Sequence, residues 1–424
     1  MANDFASNFT RQLAPIILKG FETNRVLSKN VDTQLLEGKF SKADTGDTVD
    51  FKRPTDYVSV RTGQGDITSS TASGIITGKA SGVIQDYFTV FVDYDEADEA
   101  VKMYQKNELV NIPMMNRLVT DFELDFAKFM MKNSALSYGT AGTAVANWSD
   151  VAGAGATMEA NGCPKDDMWC YAMNPFTQVA LASEQRSLGV NPEVKYANDK
   201  ALIKENFAGM RVLSATSLAS YNTGAFADRT GTLTAAPTPG YVAAKDTMTQ
   251  VLAVTALQAN IVIPAGTTVT VAGSNRLNLS TRQPVIDSTG AQVLWSATVT
   301  TDVTLNGSGA GNLTVTGPAI QEANGQYNTV DTALANGAVV TLTGAASKII
   351  QPNLFWHKQA FSVGSVPIKK LYSTDTLAQT KDNLMLRVSM GSDFLANKQK
   401  VRIDFRPAYG AMNPFMAGQG FGTP

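Results

Sequence analysis

The feature that most limits how this 424-residue chain folds is a break in composition lying inside it. From Ala227 to Ser347 the sequence carries 22 threonines, few charges and a single tryptophan, Trp295. Alternating runs recur through the block in NIVIPAGTTVTVAG, VLWSATVTTDVTL, NLTVTG and AVVTLTG, and Gly or Pro follows closely on each. Alternation with a period of two puts apolar side chains on one face of a strand and threonines on the other. That is the pattern of a small all-β barrel or sandwich with one wet face. On both sides of the block the texture mixes helical and strand periods, so the block reads as inserted within a host domain rather than appended to it. Insertions of this kind succeed where the ends of the host loop lie close together, and a chain of this length exceeds one comfortable core. Inside the block, VTLNGSGAGNLTVTG (303–317) reads as a bare hairpin. Val303 and Leu305 lead into a tip of Asn, Gly, Ser and Ala, and Leu313 and Val315 lead out of it.

The flanking regions predict several elements. Phe5, Phe9 and Leu13 are spaced by four, while Pro15 and Gly20 interrupt the pattern, so the N-terminus reads as a segmented arm rather than one long helix. TGDTVDFKRP and GVIQDYFTVFVDY alternate as strands, the second with Phe88, Val90 and Val92 on one face. Between them the polar stretch from Val60 to Gly82 is rich in Gly, Ser and Thr. Strands pairing across it would project an extended arm, which cannot stabilise itself and therefore rests on something else. Asn107 to Leu136 carries Met115, Leu118, Phe122, Phe126, Phe129 and Met130 on one helical stripe. A helix of that length spans roughly 40 Å, and Asp125 and Lys128 stand at ion-pair spacing on its other side. MWCYAMNPFTQVALASEQ reads as a strand, an Asn-Pro turn and a helix starting near Phe176.

Chemistry is sparse. His357 is the only histidine, and no G-x-S-x-G elbow accompanies it. Asp121 and Asp125 read as a solvated helix face rather than an acid/base pair. Asp166 and Asp167 are too few for a calcium loop, and the glycine-rich runs GTAGTAV and NGSGAGN lack phosphate-loop spacing. Cys163 and Cys170 lack histidine neighbours and predict two reduced thiols. A net charge of −2 argues against a dedicated nucleic-acid binder. MANDFASNFT has no secretion-signal pattern, and no apolar run reaches membrane-spanning length. These observations predict no catalytic, cofactor-binding or metal site, no membrane association, and a role in binding or structure.

Segments in order carry a family resemblance: DTQLLEGKF with TGDTVDFKRP, then RLVTDFELDFAKFMMKNSALS, YAMNPFTQVAL, FAGMRVLSATSLAS, QPNLFWHKQAFSVGSVPIKKL and the ending RPAYGAMNPFMAGQGFG. Together they resemble the major capsid proteins of tailed bacteriophages, of the Hong Kong ninety-seven fold. The likeness is greatest to the P22-type coat proteins of short-tailed phages. The resemblance implies an α+β fold divided into an N-terminal arm (1–40), an extended loop with peripheral strands (41–95) and a spine helix (96–138). After these come a first apical part (139–226), an inserted β-rich domain (227–347) and a closing apical and peripheral part (348–424). It implies a non-catalytic protein that self-assembles as pentamers and hexamers of an icosahedral shell, enclosing double-stranded DNA without gripping it. A scaffolding protein is implied during assembly and a portal protein at one vertex. It places assembly in the host bacterial cytoplasm and the product in the virion capsid. Subunit contacts are expected on the extended loop at Lys52, Arg53, Arg61 and Asp66, and the hairpin of the inserted domain is expected to reach neighbouring subunits. Two other classes compete: a carbohydrate- or surface-binding protein whose β block does the binding, and an enzyme acting through His357 or through Asp121 and Asp125.

Overall fold

The computed structural model describes residues 5–41, 46–95, 110–187, 205–238, 240–371, 375–393 and 395–423, with scattered positions between 194 and 203. The chain divides into two compact units. The first comprises Met1–Val49, Gly82–Ala127 and Phe361–Gly410, and the second Asp50–Ser81, Lys128–Ala360 and Ala411–Pro424.

In the first unit an antiparallel sheet runs in the order Thr376–Gln379, Met385–Asp393, Lys398–Phe405, Phe88–Asp95. The last two strands pair in full register from Lys398 opposite Asp95 to Phe405 opposite Phe88. Phe91 is 69% exposed and Tyr94 is buried, as the two-residue period requires. Helix α1 (Phe5–Asn24) is one continuous helix with Pro15 inside it, not the segmented arm its sequence suggests. Proline removes one backbone hydrogen bond, but Ala14, Ile17 and Phe21 stand one helical turn apart and are all buried, which outweighs that loss. A Cβ on Gly20 would lie 2.1 Å from the methyl end of the Met115 side chain, so α1 packs closely against helix α2 (Ile112–Lys132) here. Residues 107–109 of the predicted spine helix lie outside the described residues. At the other end α2 stops at Lys132, and Leu136–Tyr138 is already a strand. Its 21 residues span about 30 Å rather than 40.

An aromatic core holds this unit together. Phe405 meets Phe21 edge-on at 5.2 Å and Phe122 at 4.9 Å between ring centroids, and Tyr409 meets Phe126 at 5.2 Å. The Tyr409 hydroxyl donates to Asp125 Oδ2 at 3.1 Å, so Asp125 is committed to the sheet instead of pairing with Lys128. Glu123 is 2% exposed. Its carboxylate accepts the backbone N–H groups of Val26, Leu27 and Ser28 at 3.2, 2.7 and 3.1 Å, together with the Ser28 hydroxyl.

The second unit contains a mixed six-stranded sheet in the order Leu136–Tyr138, Ala417–Gly420, Asn353–His357, Trp169–Met173, Met210–Ser214, Asn206–Phe207. Its central strands Asn353–His357 and Trp169–Met173 are buried at every position. Helices α3 (Trp148–Ala160) and α4 (Pro175–Ser187) supply Val151, Met158 and Leu181 to the same core as Trp169, Tyr171 and Phe355. Helix α4 begins at the predicted Asn-Pro turn, where Asn174 Oδ1 accepts the Thr177 N–H at 2.8 Å.

Helix α3 starts with a capping box between Asn147 and Asp150. Asp150 also accepts the amide and hydroxyl of Thr423, which ties down the C-terminal tail. Burial opposes its charge, but donors from Ala146, Asn147 and Thr423 outweigh that and hold its pKa below the usual carboxylate value. The stability it contributes is therefore present above the ordinary carboxylate pKa and is lost as pH falls through the lower folded value. Asp150→Ala is expected to cost roughly 2 kcal/mol at neutral pH. In urea titrations run at descending pH the gap from wild type should begin to narrow below about pH 4; a gap constant with pH rules out the charged cap.

Between Tyr221–Asn222 and Ile349–Ile350, which pair as a two-stranded ribbon, the chain leaves the host sheet and returns to it. The excursion is a closed barrel of strands Thr249–Thr255, Gly311–Thr316, Leu294–Val299, Thr268–Asn275, Val339–Leu342 and Thr230–Leu233, in that order round the barrel. Its interior includes Val269, Val271, Trp295, Leu313, Val315 and Val340, from alternate positions of the predicted runs, together with Leu252 and Val254 from Thr249–Thr255, a strand those runs did not include. The predicted hairpin is corrected. Val303–Thr304 pairs with Val262–Ile263, while Gly311–Thr316 joins the barrel between two other strands. The tip folds back onto its own domain, since Leu257 N–H donates to Gly309 O at 3.3 Å and Leu305 N–H to Ile261 O at 2.8 Å. Gly309 has φ +68°, and a Cβ there would lie 1.8 Å from Leu257 O, so only glycine makes the approach.

Candidate assembly surface: the extended arm and its seat

Neither rival site gathers the groups a reaction needs. Among the described residues no three His, Cys, Asp or Glu side chains group to hold a metal ion, and no helix is long and apolar enough to cross a membrane. His357 is buried at a strand end. Its Nε2 lies 3.1 Å from Asp166 Oδ2 and its Nδ1 accepts the Gln359 N–H at 3.2 Å, so both ring nitrogens are occupied within the fold. Asp121 is paired with Arg117 at 2.8 Å along α2.

Cys163 and Cys170 are buried and form no disulfide. Desolvation pushes the Cys163 thiol up to about 12 and the Cys170 thiol up to about 11. Thiolate is the reactive form, so an aromatic disulfide reagent at pH 8 should leave the folded chain unmodified and should label two thiols in denaturant. Labelling of the native chain at the rate of a free thiol refutes this burial.

The arm, residues 53–78, is the longest segment without helix or strand among the described residues. Thr48–Lys52 enters it and Lys79–Ile84 leaves it. Between them no strand forms among the described residues, and Tyr57–Gly65 are all exposed. Its exposed apolar side chains include Tyr57 at 55%, Val60 at 50%, Ile67 at 65% and Ile75 at 80%. These exposed apolar side chains make the segment a candidate contact surface. The predicted contact residues occupy it unequally. Lys52 is exposed at the root and Arg61 is exposed on the outgoing leg. Asp66 shapes the tip by accepting the Thr68 N–H at 2.9 Å along with its hydroxyl, and those bonds hold its carboxyl below the usual range. Arg53 is instead engaged within its own chain, donating to Lys79 O at 3.0 Å and to Met412 O.

Sequence reasoning missed what the arm rests on, which is the inserted barrel's own loops. The rings of Tyr241 and Tyr327 stack with centroids 3.7 Å apart. The Tyr327 hydroxyl donates to Ile76 O at 2.8 Å and accepts the Asp56 N–H at 3.3 Å. Gln326 Nε2 donates to Gly74 O at 2.7 Å, and Lys79 N–H to Asp246 Oδ1 at 3.2 Å. Asp56 is paired with Arg282. No local signal marks these partners, because each pair is separated by more than 160 residues. Gly78 is the one cue: a Cβ there would lie 2.3 Å from Lys245 O.

An arm carrying exposed apolar side chains suits a protein that works by contacting copies of itself. The comparisons agree. A family model described as P22 coat protein, gene protein 5, matches residues 1–422. A protein of Acyrthosiphon pisum secondary endosymbiont phage 1, named major capsid protein, is 35% identical over the whole of both chains. Among solved structures the chain is similar to one from Mycobacterium phage Che8, with a TM-score of 0.47, 11% identity and coverage of 93% of this chain and 90% of that one. It is also similar to the capsid of cyanophage P-SCSP1u, with a TM-score of 0.42, 12% identity and coverage of 89% and 84%. The chain belongs to the P22 coat protein family and is a structural, shell-forming capsid protein.

Proposed function

We propose that this chain builds the icosahedral head of a tailed phage as pentamers and hexamers. It assembles in the host cytoplasm around a scaffolding protein, with a portal protein at one vertex, and later encloses double-stranded DNA. The observation that carries the reading is the family match over residues 1–422. Many individually weak, partly polar contacts suit such a shell, because errors dissociate while the closed assembly holds by multivalency. A net charge of −2 leaves the wall without a basic excess to grip packed phosphates. In this reading residues 1–40 are the N-terminal arm and 227–347 the inserted domain. Lys52, Arg61 and Asp66 make charge-paired contacts with the adjacent subunit, while Arg53 contributes by shaping the root of the loop.

Negative-stain imaging of the expressed chain, with and without the scaffolding protein from its own phage, tests the proposal. Hollow closed shells are the expected product, and a persistent monomer in both conditions refutes it. Arg61→Ala should leave the monomer's unfolding transition unchanged and lower shell yield about tenfold, the loss of one charged contact repeated round the shell. Normal yield removes the loop residue from the interface.

A further inference from the structure

A cavity of about 470 Å³ lies between the root of the extended arm and the inserted barrel, within the range of small-molecule sites. Its wall is mixed. Met248, Ile320 and Phe415 give it apolar surface, and the stacked Tyr241 and Tyr327 rings give it a flat aromatic side. Two guanidinium groups complete it, and their situations differ. Arg282 is already neutralised by Asp56. Arg53 is half-buried, it donates to two backbone carbonyls, and no carboxylate is paired with it among the described residues. Asp246, the acid in its neighbourhood, is taken by Lys245 and by the Lys79 N–H. Burial draws the Arg53 pKa below its usual value, against a smaller opposing pull from Tyr241 and Asp246.

We propose that this cavity is a binding site for a compact aromatic carboxylate, its ring against the tyrosines and apolar wall and its charge on Arg53. An anion there supplies the charge-assisted hydrogen bonds that backbone carbonyls give only weakly. Because Arg53 and Asp56 belong to the arm and the tyrosines to the barrel, the ligand bridges both and stiffens the arm's root. The site concerns the single chain and stands whether or not the chain closes into shells.

The test is titration calorimetry of the full chain with 2-naphthoate, with 2-naphthamide as its neutral match. One saturable site is expected, preferring the acid by about tenfold, the worth of one charge-assisted bond. Arg53→Met should erase that preference and leave amide binding in place. Since Arg53→Met disturbs the loop root, Ile320→Trp serves as the second variant: it fills the cavity with Arg53 intact and should abolish binding of both probes. Bound naphthoate should also slow amide hydrogen exchange over residues 53–56. Absence of saturable binding, equal affinity for acid and amide, or undiminished binding to Ile320→Trp each overturns the proposal.

Discussion

Replacing Glu123 by alanine is expected to cost roughly 4 kcal/mol, from the buried N–H groups of Leu27 and Ser28, the part-buried one of Val26 and the Ser28 hydroxyl, all left without this acceptor. Leu27 and Ser28 are fully buried, so water cannot step in for the carboxylate. Relief of the desolvated charge offsets part of the loss, which keeps the figure below the sum of its bonds. Glu123→Gln should fall about halfway, since an amide presents one accepting oxygen and turns its NH2 toward donors. Urea unfolding followed by the first unit's near-ultraviolet circular dichroism reads both variants. A cost under about 1 kcal/mol for the alanine variant means the turn at Val26–Ser28 holds without its anion.

Trp295→Ala should cost about 3–5 kcal/mol, in the barrel alone. The indole is 1% exposed at the centre of the barrel core, and its Nε1–H donates to Gly317 O at 3.1 Å. Truncation leaves a large void and an orphaned carbonyl, while Trp295→Phe retains most of the packing and loses only the bond and part of the volume. Calorimetry should show the barrel transition moving down with the aromatic core of the first unit unmoved. Equal destabilisation of every transition shows that the units unfold as one.

What the sequence made legible was what local pattern controls. The composition break announced a β barrel because threonine alternation is a property of each strand by itself. Asn174-Pro175 announced the start of α4 because capping is settled within four residues. Where partners decided, local pattern misled. Pro15 reads as an interruption until Ile17 and Phe21 are seen buried. The 303–317 segment reads as a hairpin, but alternation does not say which strand lies alongside, and Val303–Thr304 found Val262–Ile263. Glu123 looks like any charged residue on an amphipathic helix, since the turn it holds lies more than 90 residues earlier. The arm was legible as polar and unable to support itself. The support among the described contacts is the same chain's tyrosine pair, whereas Arg53 parts from Lys52, Arg61 and Asp66 through its own bonds to Lys79 O and Met412 O.

The ribbon joining Tyr221–Asn222 to Ile349–Ile350 has an engineering consequence. Its two threads leave and re-enter the host as hydrogen-bonded neighbours, so whatever is spliced between them need only have termini a strand-spacing apart, about 5 Å. The closure entropy of such a splice grows only slowly with its length. The position is thus a ready socket for exchanging the barrel with a tight turn or a foreign module of matching ends, and for asking how much of the host folds unaided.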